Sequence, residues 1–298
     1  MRILQIDSGC EMRGGQWQVL RLLQGMTAPA HDAVLLAPKA SPLFREAAKQ
    51  GFRVEPLRLT TLSIVSKSAD LIHAHDARAH TLAAGLTRLP LVVSRRVAFP
   101  VRRSRASRWK YSRADHYIAV SQYVKGILLE AGVEPEKISV VYDGVPLSSV
   151  APAGRLVVAP ATADPAKGTT LLMQAAKLAG VGVHLSENLE EDLKKAAVFA
   201  YITYQEGLGS AALLAMAAGV PVLASHVGGL PEIIEDGRTG LLTENTAEAI
   251  TAALRRLLGD AALRQELAAR AREQIRERFS VATMIRGTLD VYERILSC

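Results

Sequence analysis

The sequence predicts an α/β protein built from two successive doubly wound parallel-sheet domains. Three observations carry this reading. Short runs of Val, Ile and Leu alternate with helix-period patterns along most of the 298 residues. The runs are apolar almost throughout, as strands covered on both faces are. The series pauses once, at the Pro/Gly/Ser-rich stretch "GVPLSSVAPAG" (144–154), and then begins again.

Taken in order, the first half offers "RILQID", "AVLLA", "RVEPL", "LIHAH", "LVVS", "YIAVS" and "ISVVY" as strands. Helical patterns lie between them. Ser121 is a good N-cap for "QYVKGILLEA", and Gly132 stops that helix. After the pause, "RLVVAPA", "VGVHLS", "VFAYIT", "PVLAS" and "GLLT" read as strands. The tail is helical, with "TAEAITAALRRLL", "AALRQELAARAREQIRERF" and "VATMIRGTLDVYERIL". The expected domains are 1–149 and 150–279, with a last helix in 280–298. Two such βα series are expected to face each other across a cleft.

Composition narrows the class. Hydrophobic residues make up 49% and charged residues 22%, ordinary for a soluble globular protein. Cys10 and Cys298 are the two cysteines, too few and too far apart for a disulfide framework or a zinc site, so a reducing cytoplasm is expected. The start "MRILQIDSGCEMRGG" lacks a signal-peptide core, and no apolar run is long enough to span a bilayer.

The net charge of +7 is uneven: residues 1–150 carry +9 and residues 151–298 carry −2. Its peak is "RRVAFPVRRSRASRWKYSR" at 95–113, with eight basic residues and no acidic one. Such a segment meets something anionic, or is a solvated basic face. Trp109 and Val101 supply apolar contact beside Arg102, Arg103, Arg105, Arg108, Lys110 and Arg113, which suits an anionic membrane surface. The segment has no recognised nucleic-acid-binding fold, so nucleic acid is not an expected partner.

In open α/β sheets, ligands bind beyond the carboxyl ends of strands. Polar residues in those loops are therefore the candidates. In "TYQEGLGS", Gly207 and Gly209 let backbone approach a ligand, and the helix that follows offers its free N–H groups to a phosphate. Glu206 would lie beside that anion and suits sugar hydroxyls; the alternative is a helix-capping turn. In "PAKGTT", Lys167 precedes a helix start, a second place for a diphosphate, or is a solvated surface residue. In "HVGGLPEII", Glu232 binds a ligand or favours the helix N-terminus. "RGGQ" at 13–16 opens a helix but does not fit a dinucleotide fingerprint. Arg95 and Arg96 follow a strand directly and should face the cleft, holding an acceptor phosphate or the donor diphosphate. His73, His75 and His80 have poor metal spacing; His73 is read as packed, His75 or His80 as bordering the cleft. No Asp-x-Asp pair occurs, so no metal and no other cofactor is expected.

The segment "EGLGSAALLAMAAGVPVLASHVGGLPEIIEDGRTGLL" at 206–242 resembles the donor-binding signature of retaining GT-B glycosyltransferases of group 1, family 4. "YIAVSQYVKGILLEAGVEPEKISVVYDGVPL" at 117–147, the Gly pair at 14–15 and "LIHAHD" at 71–76 fit the same family. The resemblance implies two Rossmann-like domains and transfer of a sugar from a nucleotide diphosphate sugar, with retention and usually without metal. It implies that Glu206 contacts the donor sugar, with Gly207, Leu208 and Gly209 beside it. Lys167 holds the diphosphate, and Gly14 and Gly15 border it from the first domain. The last helix crosses back to that domain.

The chain departs from the pattern in four places. The second Glu of the signature is Leu214, which cannot accept a ribose hydrogen bond. The Arg expected five residues before Lys167 is Thr162. A βα unit before "VGVHLS" is missing, so the second domain is shortened. The His often found after the fifth strand is Arg96. Two readings stay open. One is a transferase acting on an anionic or membrane-associated saccharide or glycolipid, such as a lipopolysaccharide core, at the inner face of the cell membrane. The other is a non-catalytic member that binds a saccharide or a partner enzyme.

Overall fold

The computed structural model describes residues 1–26, 31–147 and 154–297. The boundary expected at 149/150 lies outside the described residues. The chain divides into two units: Met1–Gly144 with Val281–Cys298, and Val145–Ser280.

Unit 1 alternates strands and helices. They are β1 (Arg2–Ile6), α1 (Gly14–Gly25), β2 (Asp32–Ala37), α2 (Pro42–Lys49), β3 (Arg53–Pro56), α3 (Leu59–Val65), β4 (Leu71–Ala74), α4 (Ala77–Leu86), β5 (Leu91–Arg95), α5 (Arg105–Ser112), β6 (His116–Ala119), α6 (Gln122–Glu130) and β7 (Ile138–Val140). Unit 2 continues with β8 (Leu156–Pro160), α7 (Thr169–Ala179), β9 (Val183–Ser186), α8 (Leu189–Asp192), β10 (Ala196–Tyr201), α9 (Ser210–Ala218), β11 (Val222–Ser225), α10 (Leu230–Ile233), β12 (Leu241–Thr243), α11 (Ala247–Gly259) and α12 (Ala261–Arg278). The last helix, α13 (Val281–Leu296), belongs to unit 1.

Each run read as a strand contains one. The Ser121 hydroxyl caps α6 by accepting from the Val124 N–H at 3.0 Å. The Asp76 carboxylate caps α4 by accepting from the N–H groups of Arg78 and Ala79.

Both sheets are parallel. Unit 1 has seven strands in the order β3-β2-β1-β4-β5-β6-β7, and unit 2 has five in the order β12-β11-β10-β8-β9. The strand order reverses between β1 and β4 in unit 1 and between β8 and β10 in unit 2. At such a switch point the loops leave in opposite directions and open a crevice.

The cores explain the apolar runs. In unit 1, Ile3, Leu22, Leu71, Val92, Met284 and Tyr292 share one buried cluster, which joins α13 to α1 and to the strands β1, β4 and β5. Val19, Leu23, Leu35, Leu43 and Ala47 form another. In unit 2, Val157, Leu172, Val198, Leu223, Ile250 and Leu267 are buried together. A fully buried side chain of this kind contributes about 1.5–3 kcal/mol before its entropy is charged.

Candidate functional site

The switch point of unit 2 holds a pocket of about 110 Å³, lined among others by Pro160, Thr162, Lys167, Tyr201 and Ala211. Its two rims are the loops that follow β8 and β10. The first rim makes a tight turn: the Asp164 carboxylate accepts from the Ala166 N–H at 3.0 Å, and Gly168 has φ +60°. A Cβ on Gly168 would lie 2.9 Å from the Ile202 side chain, so glycine is required where α7 begins. The Ala166 carbonyl accepts from the Tyr204 N–H (2.9 Å) and the Thr203 hydroxyl (3.2 Å), which staples the two rims together.

This brings Lys167 and Glu206 into contact. The Lys167 ammonium lies 2.7 Å from the Glu206 Oε2, and the Tyr201 hydroxyl donates to the same oxygen at 2.5 Å. The Gly207 N–H donates to Oε1 at 3.0 Å. Burial, then the Glu206 charge and hydrogen bond, push the Tyr201 phenol well above its usual range, so it stays a donor. Lys167 also sits 5.6 Å from the centre of the Tyr201 ring.

The Glu206 loop is braced from behind by backbone. The Gly229 N–H donates to the Glu206 carbonyl at 3.2 Å. A Cβ on Gly228, which has φ +57°, would fall 2.0 Å from that same carbonyl oxygen. Below the loop, Thr203, Ser225 and Asn245 form a closed polar network: Ser225 accepts from the Thr203 N–H and donates to Asn245, and Asn245 donates to the Thr203 carbonyl. Glu232 lies half-buried in the first turn of α10, directly after the bracing glycines. Gly207, Leu208 and Gly209 are buried, and α9 starts at Ser210.

Two of the four departures, Leu214 and Thr162, lie in unit 2 on α9 and in the loop after β8. Leu214 is half-buried on the face of α9 that carries Ser210, Ala211 and Ala218, one turn from pocket-lining Ala211. It is a side chain of the open face, outside the core. Thr162 is exposed, and its hydroxyl accepts from the Asp164 N–H at 3.1 Å, so it shapes its own loop.

The switch point of unit 1 is built differently. Asp7 and His75 follow β1 and β4, and Arg96 follows β5. The Arg96 Nε lies 3.2 Å from the Asp143 carboxylate, and its Nη1 faces the His75 Nδ1 at 3.4 Å. The His75 Nε2 meets the Gln5 Oε1 at 2.6 Å. Burial holds the imidazoles of His73 and His75 well below their usual range, with the Arg96 charge adding to the effect; both are neutral. Gly15 lies against Arg96, and Gly14 is the first residue of α1. The Asp7 carboxylate accepts from the Gln16 side chain and the Gly9 N–H, and burial, with Asp76 nearby, raises its pKa.

Arg95 and Arg96, expected to face one cleft together, part company. Successive residues at a strand end point to opposite faces. Arg95 donates to the Tyr111 hydroxyl at 2.8 Å and to the Phe99 carbonyl, away from the Arg96 cluster. His80 packs inside, with its Nε2 3.0 Å from the Lys110 carbonyl, and burial lowers its pKa to about 4. Sequence reasoning missed Asp7, Gln5, Asp143, Tyr201 and Tyr292. Asp7 and Asp143 carried the signal already used elsewhere, a polar residue just past an apolar run.

The basic segment is a surface. Arg102, Arg103, Arg105, Arg108 and Arg113 are exposed, as are Phe99 and Trp109. Among the described residues no helix is long and apolar enough to cross a membrane.

A family model described as Glycosyltransferase Family 4 matches residues 12–149, and one described as Glycosyl transferases group 1 matches residues 171–274. The chain belongs to this family, the group 1, family 4 glycosyltransferases. Over 117 residues it is 38% identical to alpha-maltose-1-phosphate synthase of Mycolicibacterium smegmatis, covering 37% of this chain and 30% of that relative. Over 109 residues it is 43% identical to D-inositol 3-phosphate glycosyltransferase of Nocardioides sp., covering 36% of this chain and 24% of the relative. These matched segments therefore span less than a third of either relative. The solved structure of Anabaena Alr3699/HepE in complex with UDP and glucose superposes with a TM-score of 0.87 at 17% identity, covering 99% of this chain and 100% of that one. The shared fold is GT-B.

Proposed function

We propose that this protein transfers a sugar, with retention, from a nucleotide diphosphate sugar to an anionic or membrane-associated saccharide or glycolipid. The observation that carries the reading is the Lys167–Glu206 pair at the rim of the switch-point pocket. Lys167 exchanges Glu206 for the donor diphosphate, and the N-terminus of α9 adds partial positive charge. The released Glu206 carboxylate, still held by Tyr201 and Gly207, turns to the hydroxyls of the donor sugar. UDP is the first nucleotide to try, because the Anabaena protein was solved with it. Ribose recognition does not use a carboxylate at position 214; Leu214 offers only an apolar contact.

In unit 1, Arg96, with His75, holds an anionic group of the acceptor. The exposed arginines of 102–113 with Trp109 and Phe99 bring unit 1 to an anionic surface such as the inner face of the cell membrane. A role in lipopolysaccharide or glycolipid synthesis follows from that acceptor class. Each near-surface arginine contributes about 1 kcal/mol on anionic lipid, screened by salt. Vesicle sedimentation should show binding that requires anionic lipid and weakens as salt rises; equal binding to neutral vesicles contradicts the surface.

A second reading, a non-catalytic member that binds a saccharide or a partner enzyme, is favoured by Leu214 and Thr162. Release of nucleoside diphosphate from a panel of nucleotide sugars separates the two. Turnover with at least one donor is expected; a protein that binds saccharide yet turns over none supports the second reading.

A further inference from the structure

Arg96 stands at the end of a single file of buried hydrogen bonds that reaches the last helix of the chain. The Arg96 Nη1 faces the His75 Nδ1 at 3.4 Å, and the His75 Nε2 faces the Gln5 Oε1 at 2.6 Å. The Gln5 Nε2 lies 3.2 Å from the Tyr292 hydroxyl, which lies 2.5 Å from the His73 Nδ1. The His73 Nε2 is 2.7 Å from the Ser94 hydroxyl. Gln5, His73, Tyr292 and Ser94 are all buried.

The direction of the bonds is set from both ends: a guanidinium only donates, and the Tyr292 hydroxyl, whose oxygen accepts from the Gln5 Nε2, has the His73 Nδ1 to take its proton. The His75 Nδ1 must therefore accept, which puts the proton on Nε2. Nε2–H needs an acceptor, so Gln5 must present its oxygen there and its amide group to Tyr292. The Tyr292 hydroxyl then accepts from Gln5 and donates to the His73 Nδ1, leaving the His73 Nε2–H to donate to Ser94. Reversing Gln5 would set two donors face to face at His75, at a cost that burial makes large.

We propose that Tyr292, with Gln5, is a positioning residue for Arg96: the C-terminal helix fixes the His75 tautomer, and the His75 Nδ1 in turn orients the guanidinium. This goes beyond packing of α13 and rests, for its effect on transfer, on the reading of Arg96 as the group that holds the acceptor anion.

Two-bond 1H–15N correlation spectra of protein labelled at histidine test the wiring without any substrate. In the wild type, His73 and His75 should each be the Nε2–H tautomer; an Nδ1–H form of either overturns the proposal. Tyr292→Phe keeps the ring and removes the link. His75 should then populate both tautomers, and turnover should fall about tenfold with the donor KM unchanged, the scale of one buried hydrogen bond. A folded Tyr292→Phe protein with a single His75 tautomer and full turnover contradicts the proposal. If that variant does not fold, Ser94→Ala tests the far end: it should release the His73 tautomer, and an unchanged His73 spectrum overturns the chain. A Tyr292→Phe protein whose His75 tautomer is scrambled, from a wild type without transferase activity, would refute the proposed function and leave the wiring intact.

Discussion

In unit 1 the polar groups beyond the sheet are side chains bonded to side chains, from Arg96 through His75 and Gln5 to Tyr292. In unit 2 it is the loops that carry the polar groups that are held by backbone: the Ala166 carbonyl staples two rims, and Gly228 and Gly229 lie directly on the Glu206 and Gly207 carbonyls. Both arrangements occupy a switch point of a parallel sheet. The first fixes protonation states and is sensitive to pH. The second fixes backbone positions and is sensitive to any added Cβ. Glu206 and Lys167 can exchange partners without disturbing the loops that carry them, because those loops do not depend on the ion pair.

The largest expected effect separates chemistry from architecture in unit 2. Glu206→Gln should lower turnover about 10²–10³-fold, the scale of losing one preorganised polar group at a reacting centre. Its melting temperature should change little, since the pair with Lys167 is partly exposed. Unchanged turnover removes Glu206 from the site.

Next comes pH. His80 and His116 are buried neutral in unit 1, with pKa values lowered by burial from 6.5 to about 4. Below pH 6.5 the unfolded chain binds protons that the folded chain does not, so stability is lost as pH falls. By pH 5 each should cost about 2 kcal/mol. Asp7 acts in the opposite sense, because its folded pKa is raised and its contribution grows on acidification. Among the described residues, unit 2 buries no histidine. Hydrogen exchange at pH 7 and pH 5 should therefore show unit 1 losing protection first; equal loss in the two units breaks the comparison.

Glycine substitutions sharpen it from the other side. Gly228→Ala needs a left-handed backbone and a Cβ 2.0 Å from the Glu206 carbonyl oxygen, and should cost about 3 kcal/mol. Gly15→Ala meets only the Arg96 side chain at 3.8 Å, and should leave the melting temperature nearly unchanged. Equal thermal shifts would show that backbone contact does not set the unit 2 loops.

The smallest change concerns Leu214. It lies half-buried on the open face of α9, so Leu214→Glu should cost within about 1 kcal/mol. The new carboxylate should tighten UDP up to about tenfold if it reaches the ribose. A loss of several kcal/mol on thermal unfolding would place Leu214 in the core instead.

Much of this was legible in the sequence. The runs read as strands hold one at all twelve positions: the inner strands are apolar because both faces are covered, while the edge strands β3 and β9, with exposed residues, were legible only from their place in the alternating series. The places of Glu206 and Lys167, in loops that follow strands, were legible from the apolar runs that precede them. Their contact was not, since it spans 39 residues and depends on sheet order. The link from Tyr292 to His73 spans 219 residues, and no local pattern encodes it. Gln5 did leave a trace, as the one uncharged polar side chain inside the apolar run of β1. The parting of Arg95 and Arg96 was also available, from the alternation of side chains along β5.

The central claim is that unit 2 binds a nucleotide diphosphate sugar through Lys167 beside Glu206. Calorimetric titration of wild type and Lys167→Met with a panel of nucleotide diphosphate sugars, UDP-glucose first, tests it most directly. The account predicts saturable one-to-one binding of at least one donor, weakened about tenfold or more by Lys167→Met, as loss of a charged hydrogen bond requires. No binding by any donor, or equal affinity in the two proteins, would contradict it.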